Sequence, residues 1–270
     1  TADYILNGEV TGKELFNTVG ETLADSGKYT WTINLDGNTG STFSQGDVSK
    51  SNDTALTGTG NGTVMEIFIT KEYVSSNEKG TVVVSIVNTY AGQISSVKGE
   101  DDVDEDEAPY VIVSDLSQSP VADGESYEAT GFDVDDVVLF TYSQKTSAIE
   151  SMVSARKISG QVTKVTAGES FVVGGQTYEY SAQFKTSDYI TTGSVDEDVV
   201  FYLDGQGYVI AIGEAEASND YAYVIGYEDD SKFGSTTYYA KLLLTDGKAI
   251  EVETEASASS VNHRIVSYTK

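Results

Sequence analysis

Gly92-Gln93-Ile94-Ser95-Ser96-Val97 and Gly160-Gln161-Val162-Thr163-Lys164-Val165 are two versions of one six-residue phrase, and what recurs around them decides the fold. Downstream, Gly124-Glu125-Ser126-Tyr127-Glu128 returns as Gly175-Gln176-Thr177-Tyr178-Glu179. Asp136-Val137-Val138-Leu139-Phe140 then returns as Asp198-Val199-Val200-Phe201. Anchors that keep their order mark an internal duplication. Their spacings differ, which localises the insertions. The first two anchors lie 32 residues apart in the earlier copy (92 to 124) and 15 apart in the later one (160 to 175). Tyr127 and Val137 are 10 residues apart, against 21 for Tyr178 and Val199. The earlier insertion includes the acidic run 100–107, and the later one falls near 185–194.

Each copy reads as about five strands. In the later copy these are 160–165, 170–173, 177–181, 198–203 and 207–212. Five short strands bury a shared face without exposing edges by curling into a small barrel or sandwich. Residues 221–227, 239–244, 249–254 and 264–268 supply four strands of a further, partial unit that lacks its last strand. Residues 63–70 read as a late strand of an earlier unit. Period-two alternation supports this, as in Trp31, Ile33, Leu35 and in Ile250, Val252, Thr254. Asp36-Gly37, Asp204-Gly205, Asp246-Gly247 and Gly174-Gly175 supply turn chemistry. Two segments carry helical spacing: Leu15, Phe16, Val19 and Leu23, and residues 146–155 with Ile149, Met152 and Val153. The expectation is an all-β chain of tandem small barrel or sandwich domains of about five antiparallel strands each. The boundaries fall at 1–78, 79–158 (with the acidic insertion), 159–216 and 217–270.

Composition removes several function classes. The 270 residues include no Cys, so thiol catalysis, a disulfide framework and Cys-built zinc sites are impossible. With 43 acidic and 16 basic side chains the net charge is −27, which argues against a nucleic-acid partner. No apolar run approaches the ~20 residues of a membrane span. The chain starts at Thr1 without a signal-peptide pattern, so a targeting segment is expected outside it. The acidity suits a compartment rich in salt or divalent cations.

Among candidate sites, the run 100–107 places seven carboxylates in eight residues. Asp102, Asp104 and Asp106 are the calcium candidates, because hard cations take oxygen ligands. The spacing opens like an EF-hand loop. It then departs, with Glu107 where Gly is required and Val113 where a bidentate Glu belongs. A solvated acidic loop is the competing reading. His263, the single His, lacks the partners of a metal or Ser-His site. Trp31 and the 18 Tyr offer a stacking platform for sugars or half-buried strand packing, with Tyr221, Tyr223 and Tyr227 expected on one strand face and Tyr238 and Tyr239 following. No carboxylate pair stands out as a glycosidase pair.

Asn88-Thr89-Tyr90-Ala91, Gly175-Gln176-Thr177-Tyr178, the stretch from Val200 to Ala211 and that from Tyr239 to Gly247 resemble the repeat region of secreted S-layer-homology-domain proteins of gut Clostridia and related Firmicutes. The resemblance covers roughly residues 80–255 and rests on strand-turn-strand motifs. It implies a part of an exported cell-surface protein of a Gram-positive bacterium, without the wall-anchoring modules and without assigned chemistry. The expected function is a non-catalytic structural or interaction segment with no cofactor. Its expected partners are cell-wall or surface polymers or neighbouring surface proteins. A carbohydrate-binding or adhesion module and a fragment of a polysaccharide hydrolase are the alternatives.

Overall fold

The structure is a computed structural model and describes all residues except 41, 101–102, 105, 122–123, 214–219, 233–234, 246 and 269–270. Among the described residues the fold is all-β with one α-helix, and the chain divides into two compact units, residues 1–214 and 215–270. The first unit holds three sheets and the second holds one.

The first sheet contains β1 (Tyr4–Asn7), β2 (Tyr29–Leu35), β3 (Val64–Lys71) and β4 (Gly80–Val87), in the order β1-β3-β4-β2. It is not a copy of the repeat. β2 runs parallel to β4, and α1 (Gly12–Ala24) covers the sheet. The helix begins where Thr11 and Glu14 form a capping box, each side chain accepting the other's backbone N–H, at 3.2 and 2.8 Å. Leu15, Val19 and Leu23 are buried as the spacing predicts, on a core made by Ile67, Val82, Val84 and Ile86. The first sheet therefore extends to Val87, past the expected boundary at 78. β4 is the strand that the other three need, and its Val82, Val84 and Ile86 are fully buried.

The second sheet contains β5 (Tyr90–Lys98), β6 (Tyr110–Asp115), β7 (Glu125–Glu128), β8 (Val137–Ser143) and β9 (Ala148–Ser154). The third contains β10 (Arg156–Thr166), β11 (Ser170–Val173), β12 (Gln176–Glu179), β13 (Asp198–Leu203) and β14 (Val209–Gly213). Their orders, β7-β6-β5-β8-β9 and β12-β11-β10-β13-β14, are the same. A parallel bridge between Tyr180 and Val209 brings the two ends of the third sheet together into a near-barrel. The 17-residue excess of the earlier copy is divided between the β5–β6 and β6–β7 connections, apart from two residues that lengthen β6.

The second unit contains β15 (Asp220–Lys232), β16 (Ser235–Leu244), β17 (Ala249–Thr254) and β18 (Ile265–Tyr268), in the order β17-β16-β15-β18. This is the order of the first four strands of the repeat. Its core is Ala222, Val224, Ala240, Leu242 and Ala258.

Residues 146–155 are not helical. A bulge at Glu150 lets Phe140 pair with Met152 and Tyr142 with Ile149, so both apolar side chains face the core although three residues apart. A bulged strand thus imitates helical spacing.

Candidate functional site

The opening phrase of the repeat is a device for bending one strand and turning it over the next. Gly92 lies so close to Val113 that a Cβ would overlap the valine side chain, and Gly160 would meet Val173 at 2.7 Å. Ile94 and Val162 enter their cores, and the following residue, Ser95 or Thr163, is bulged out of the ladder. Its hydroxyl donates to the carbonyl of Ile112 (3.1 Å) or Val172 (3.3 Å) on the neighbouring strand. After the bulge Val97 and Val165 return to the core side.

The Gln of each phrase caps a second recurring feature. Ahead of strand four a residue takes a left-handed backbone: Asp135 (φ 72°) and Asp196 (φ 73°). The Gln93 amide donates to the carbonyl of Asp135 (3.4 Å) and the Gln161 amide to that of Asp196 (2.8 Å). The backbone around it repeats as well. Ile94 N–H donates to Asp136 and Val162 N–H to Glu197, both at 2.9 Å, while Asp135 and Asp196 N–H donate back to Ile94 and Val162. These bonds set the alignment of the third anchor one residue away from the sequence match: Asp136 corresponds to Glu197, and Phe140 to Phe201.

The same joint occurs a third time. Ala222-Tyr223-Val224-Ile225-Gly226-Tyr227 takes the place of the opening phrase, with its bulge between Val224 and Gly226. Val224 N–H donates to Arg264 (2.9 Å), and His263 N–H donates to Val224 (2.8 Å). His263 (φ 62°) is thus the left-handed residue of this unit, and its ring sits 6.2 Å from that of Tyr223, which replaces the capping Gln. The lone His is a turn residue. Sequence reasoning finds the four strands of this unit and misses its version of the opening phrase, because Ala222 and Tyr223 stand where Gly and Gln stand in the other two.

The bulge also redistributes the tyrosines. Tyr221 and Tyr223 lie on the outer face, 57% and 39% exposed. Tyr227 pairs with Ala240, a core residue, so it belongs to the opposite face. The expected single row of three is therefore split. On the outer face Ile265, Tyr223 and Leu243 form a cross-strand row over β18, β15 and β16. Tyr238 and Tyr239 are half-buried on opposite faces of β16. Trp31 packs on the first core, and its indole N–H donates to the carbonyl of Leu23 (2.9 Å).

Two buried carboxylates hold the first unit together. Asp36 ends β2 with φ 49° and is 4% exposed. It accepts the N–H and side-chain amide of Asn88 (2.9 and 3.0 Å) and the hydroxyl of Tyr90 (2.6 Å). Its carbonyl accepts Gln144 N–H from the β8–β9 turn (2.7 Å). Burial, reinforced by the Asp36 carboxylate, pushes the Tyr90 hydroxyl far above its ordinary pKa. Asp204 caps its own turn by accepting Gln206 and Tyr208 N–H (2.9 and 3.0 Å). Its other oxygen is buried against Gly62 of the first domain, with the Ser181 hydroxyl alongside. Desolvation raises this carboxyl above the ordinary range, against the pull of those N–H groups. In sequence both are plain Asp-Gly hairpin turns. Their burial comes from neighbouring domains that local sequence does not show.

The third and second sheets share a further apolar seam of Ala91, Leu139, Ile210 and Ala211. The later copy's insertion closes it: Lys185 reaches the carbonyl (2.9 Å) and carboxylate (3.3 Å) of Asp115. Asn61 completes the triangle, its amide donating to Tyr180 (3.1 Å) and its carbonyl accepting Ala182 N–H (2.9 Å). Residues 1–214 are therefore a cluster in which each domain touches the other two, and not a row with neighbour contacts only. An open groove of about 680 Å³ runs beside Asn61, between Gln118, Glu169, Glu179, Thr186 and Tyr189.

Asp104 and Asp106 are exposed in the β5–β6 connection, where the carbonyl of Asp104 accepts Glu107 N–H (2.9 Å). Asp102 lies outside the described residues. Among the described residues no three acidic or His side chains converge on a metal-sized space, and no helix is long and apolar enough to cross a membrane. Comparison of the chain with known protein families, curated proteins and solved structures finds no match.

Proposed function

We propose that the chain is a non-catalytic structural and interaction segment of an exported bacterial cell-surface protein. The observation that carries this reading is one β unit used three times, with the same strand order and the same Gly-or-Ala/bulge/left-handed joint. Repeated modules that pack on one another serve as scaffolds and present surfaces. The net charge of −27 and the resemblance to secreted surface proteins support the location. The two buried carboxylates, Asp36 and Asp204, are engaged in domain junctions, where they hold structure. The partners on this reading are wall or surface polymers or neighbouring surface proteins. Brief protease treatment of intact cells should release peptides from residues 1–270. Release only after lysis would refute the location.

A second reading, carbohydrate adhesion, is favoured by the exposed row of Tyr223, Leu243 and Ile265 beside Tyr221. Titration with wall polysaccharide distinguishes it: saturable binding lost in Tyr221→Ala or Tyr223→Ala would establish an adhesion module.

A further inference from the structure

All three domains of residues 1–214 contribute to the groove beside Asn61. Glu9 and Asn61 come from the first domain, Gln118 from the earlier copy, and Glu169, Glu179 and Tyr189 from the later copy. Its volume of about 680 Å³ is that of a small-molecule site. Thr186 and Tyr189 belong to the insertion that the earlier copy lacks, and insertions into one repeat often mark a binding face. This wall is tied down along its length. Gln118 N–H donates to the carbonyl of Gln183 (2.6 Å), Lys185 pairs with Asp115, and Ile190 N–H donates to the Tyr180 hydroxyl (3.0 Å). A wall set in advance has little ordering cost when a ligand arrives.

The lining is rich in acceptors. Glu9, Glu169 and Glu179 bring three exposed carboxylates, and no Lys or Arg lines the groove with them. None of the three forms an ion pair among the described residues. In a chain with 43 acidic side chains this alone distinguishes nothing. The two amides give an independent sign of the same polarity. The Asn61 amide donates to the carbonyl of Tyr180 (3.1 Å) and the Gln118 amide to the carbonyl of Phe184 (3.0 Å). Each thus commits its NH2 group to the backbone, and its side-chain oxygen has no donor among the described residues. Lys185, the lysine of this wall, is committed to Asp115. Beside these acceptors Tyr180, Phe184 and Tyr189 form an aromatic cluster, with ring centroids 4.5 to 5.3 Å apart. Tyr189 is half-buried and gives the groove an apolar surface.

We propose that this groove binds a ligand that carries primary ammonium groups on an alkyl stem. An ammonium group has three donors and no acceptor, which matches a lining of carboxylate and amide oxygens. The stem lies along the aromatic cluster while the charged ends meet the glutamates, as amphipathic chains do at the edge of an apolar surface. A free polyamine and a lysine side chain of a partner share this chemistry. The proposal deepens the interaction-segment reading, on which it rests, by giving the chemistry of what is bound.

The test titrates the whole chain at about 0.15 M salt, where the diffuse field of the other carboxylates is screened within about 8 Å. The probes are spermidine, a trilysine peptide blocked at both termini, and maltotriose as an uncharged control. Calorimetry gives stoichiometry, and NMR follows the side-chain amides of Asn61 and Gln118. The expected result is one saturable site per chain for an amine probe, with both amide signals shifting along the titration. Tighter binding of spermidine points to a free polyamine, and tighter binding of the peptide to a lysine side chain. Glu169→Gln combined with Glu179→Gln should weaken binding by about fivefold or more. Glu125→Gln combined with Glu128→Gln removes the same charge from β7, outside the groove, and should change it by less than about twofold. The proposal fails if neither amine binds at millimolar concentration, or if several bind per chain without saturation. It fails equally if the two double variants lose the same affinity, or if maltotriose shifts the same amides as strongly. None of these outcomes depends on where the parent protein resides, which surface proteolysis tests separately.

Discussion

Replacing Tyr90 by Phe should loosen the joint between the first domain and the first repeat by about 2 kcal/mol. The Tyr90 hydroxyl is one of three donors on the buried Asp36 carboxylate, at 2.6 Å. A hydrogen bond to a charged, buried acceptor contributes roughly 1.5–3 kcal/mol. Phe keeps the ring, which is 3% exposed and packs 5.8 Å from Phe140, so no cavity term is added. For a unit of this size about 2 kcal/mol corresponds to a fall in Tm of roughly 4–8 °C. The assay is urea unfolding read by two probes. Trp31, the only tryptophan, reports the first domain, and far-UV circular dichroism reports all sheets. Because Asp36 and Tyr90 lie in different domains, the variant should move both transitions together. A shift under about 0.5 kcal/mol, the size of a surface substitution, would refute the reasoning. So would a Trp31 transition that stays in place while the other moves.

Asp204→Asn should stabilise the protein near neutral pH by about 1 kcal/mol, the scale of one newly made buried hydrogen bond, since the amide can donate to Ser181. Asp204 is held above the ordinary carboxylate range, so the folded state binds the proton more tightly, and the wild type gains stability as pH falls through that raised value. The advantage of the variant in thermal melts should therefore shrink below neutrality and vanish near the ordinary carboxylate pKa. Gly92→Ala should cost about 1–3 kcal/mol by overpacking, because the new methyl would meet the Val113 side chain, the Ser114 carbonyl at 2.9 Å and Phe140 at 3.2 Å. Chemical denaturation measures the loss. His263→Asp should be neutral within about 0.5 kcal/mol in the same assay. His263→Val should cost about 1–2 kcal/mol, because a β-branched residue resists a left-handed backbone.

Most of the repeat architecture was legible because its anchors serve local geometry. Gly92 and Gly160 allow a close strand approach, Gln93 and Gln161 cap a left-handed turn, and the alternating apolar residues define the strands. What stayed hidden has two physical causes. Bulges shift a strand's period by one, so Ile149 and Met152 looked helical and Tyr227 seemed to share a face with Tyr223. Long-range packing leaves no local trace, so the first domain's parallel β2–β4 pair and the burial of Asp36 and Asp204 could not be read from turn motifs.

Site-resolved amide exchange of the chain alone tests the central claim that one unit occurs three times, with five strands in two copies and four among the described residues of the third. Leu139, Val200 and Ser267 are equivalent positions in β8, β13 and β18. The amides of Leu139 and Val200 should be strongly protected by their fifth strands. That of Ser267 should exchange at close to the rate of an unstructured peptide, while its neighbour Val266 stays protected by β15. Equal protection of all three amides in monomeric protein would contradict the account.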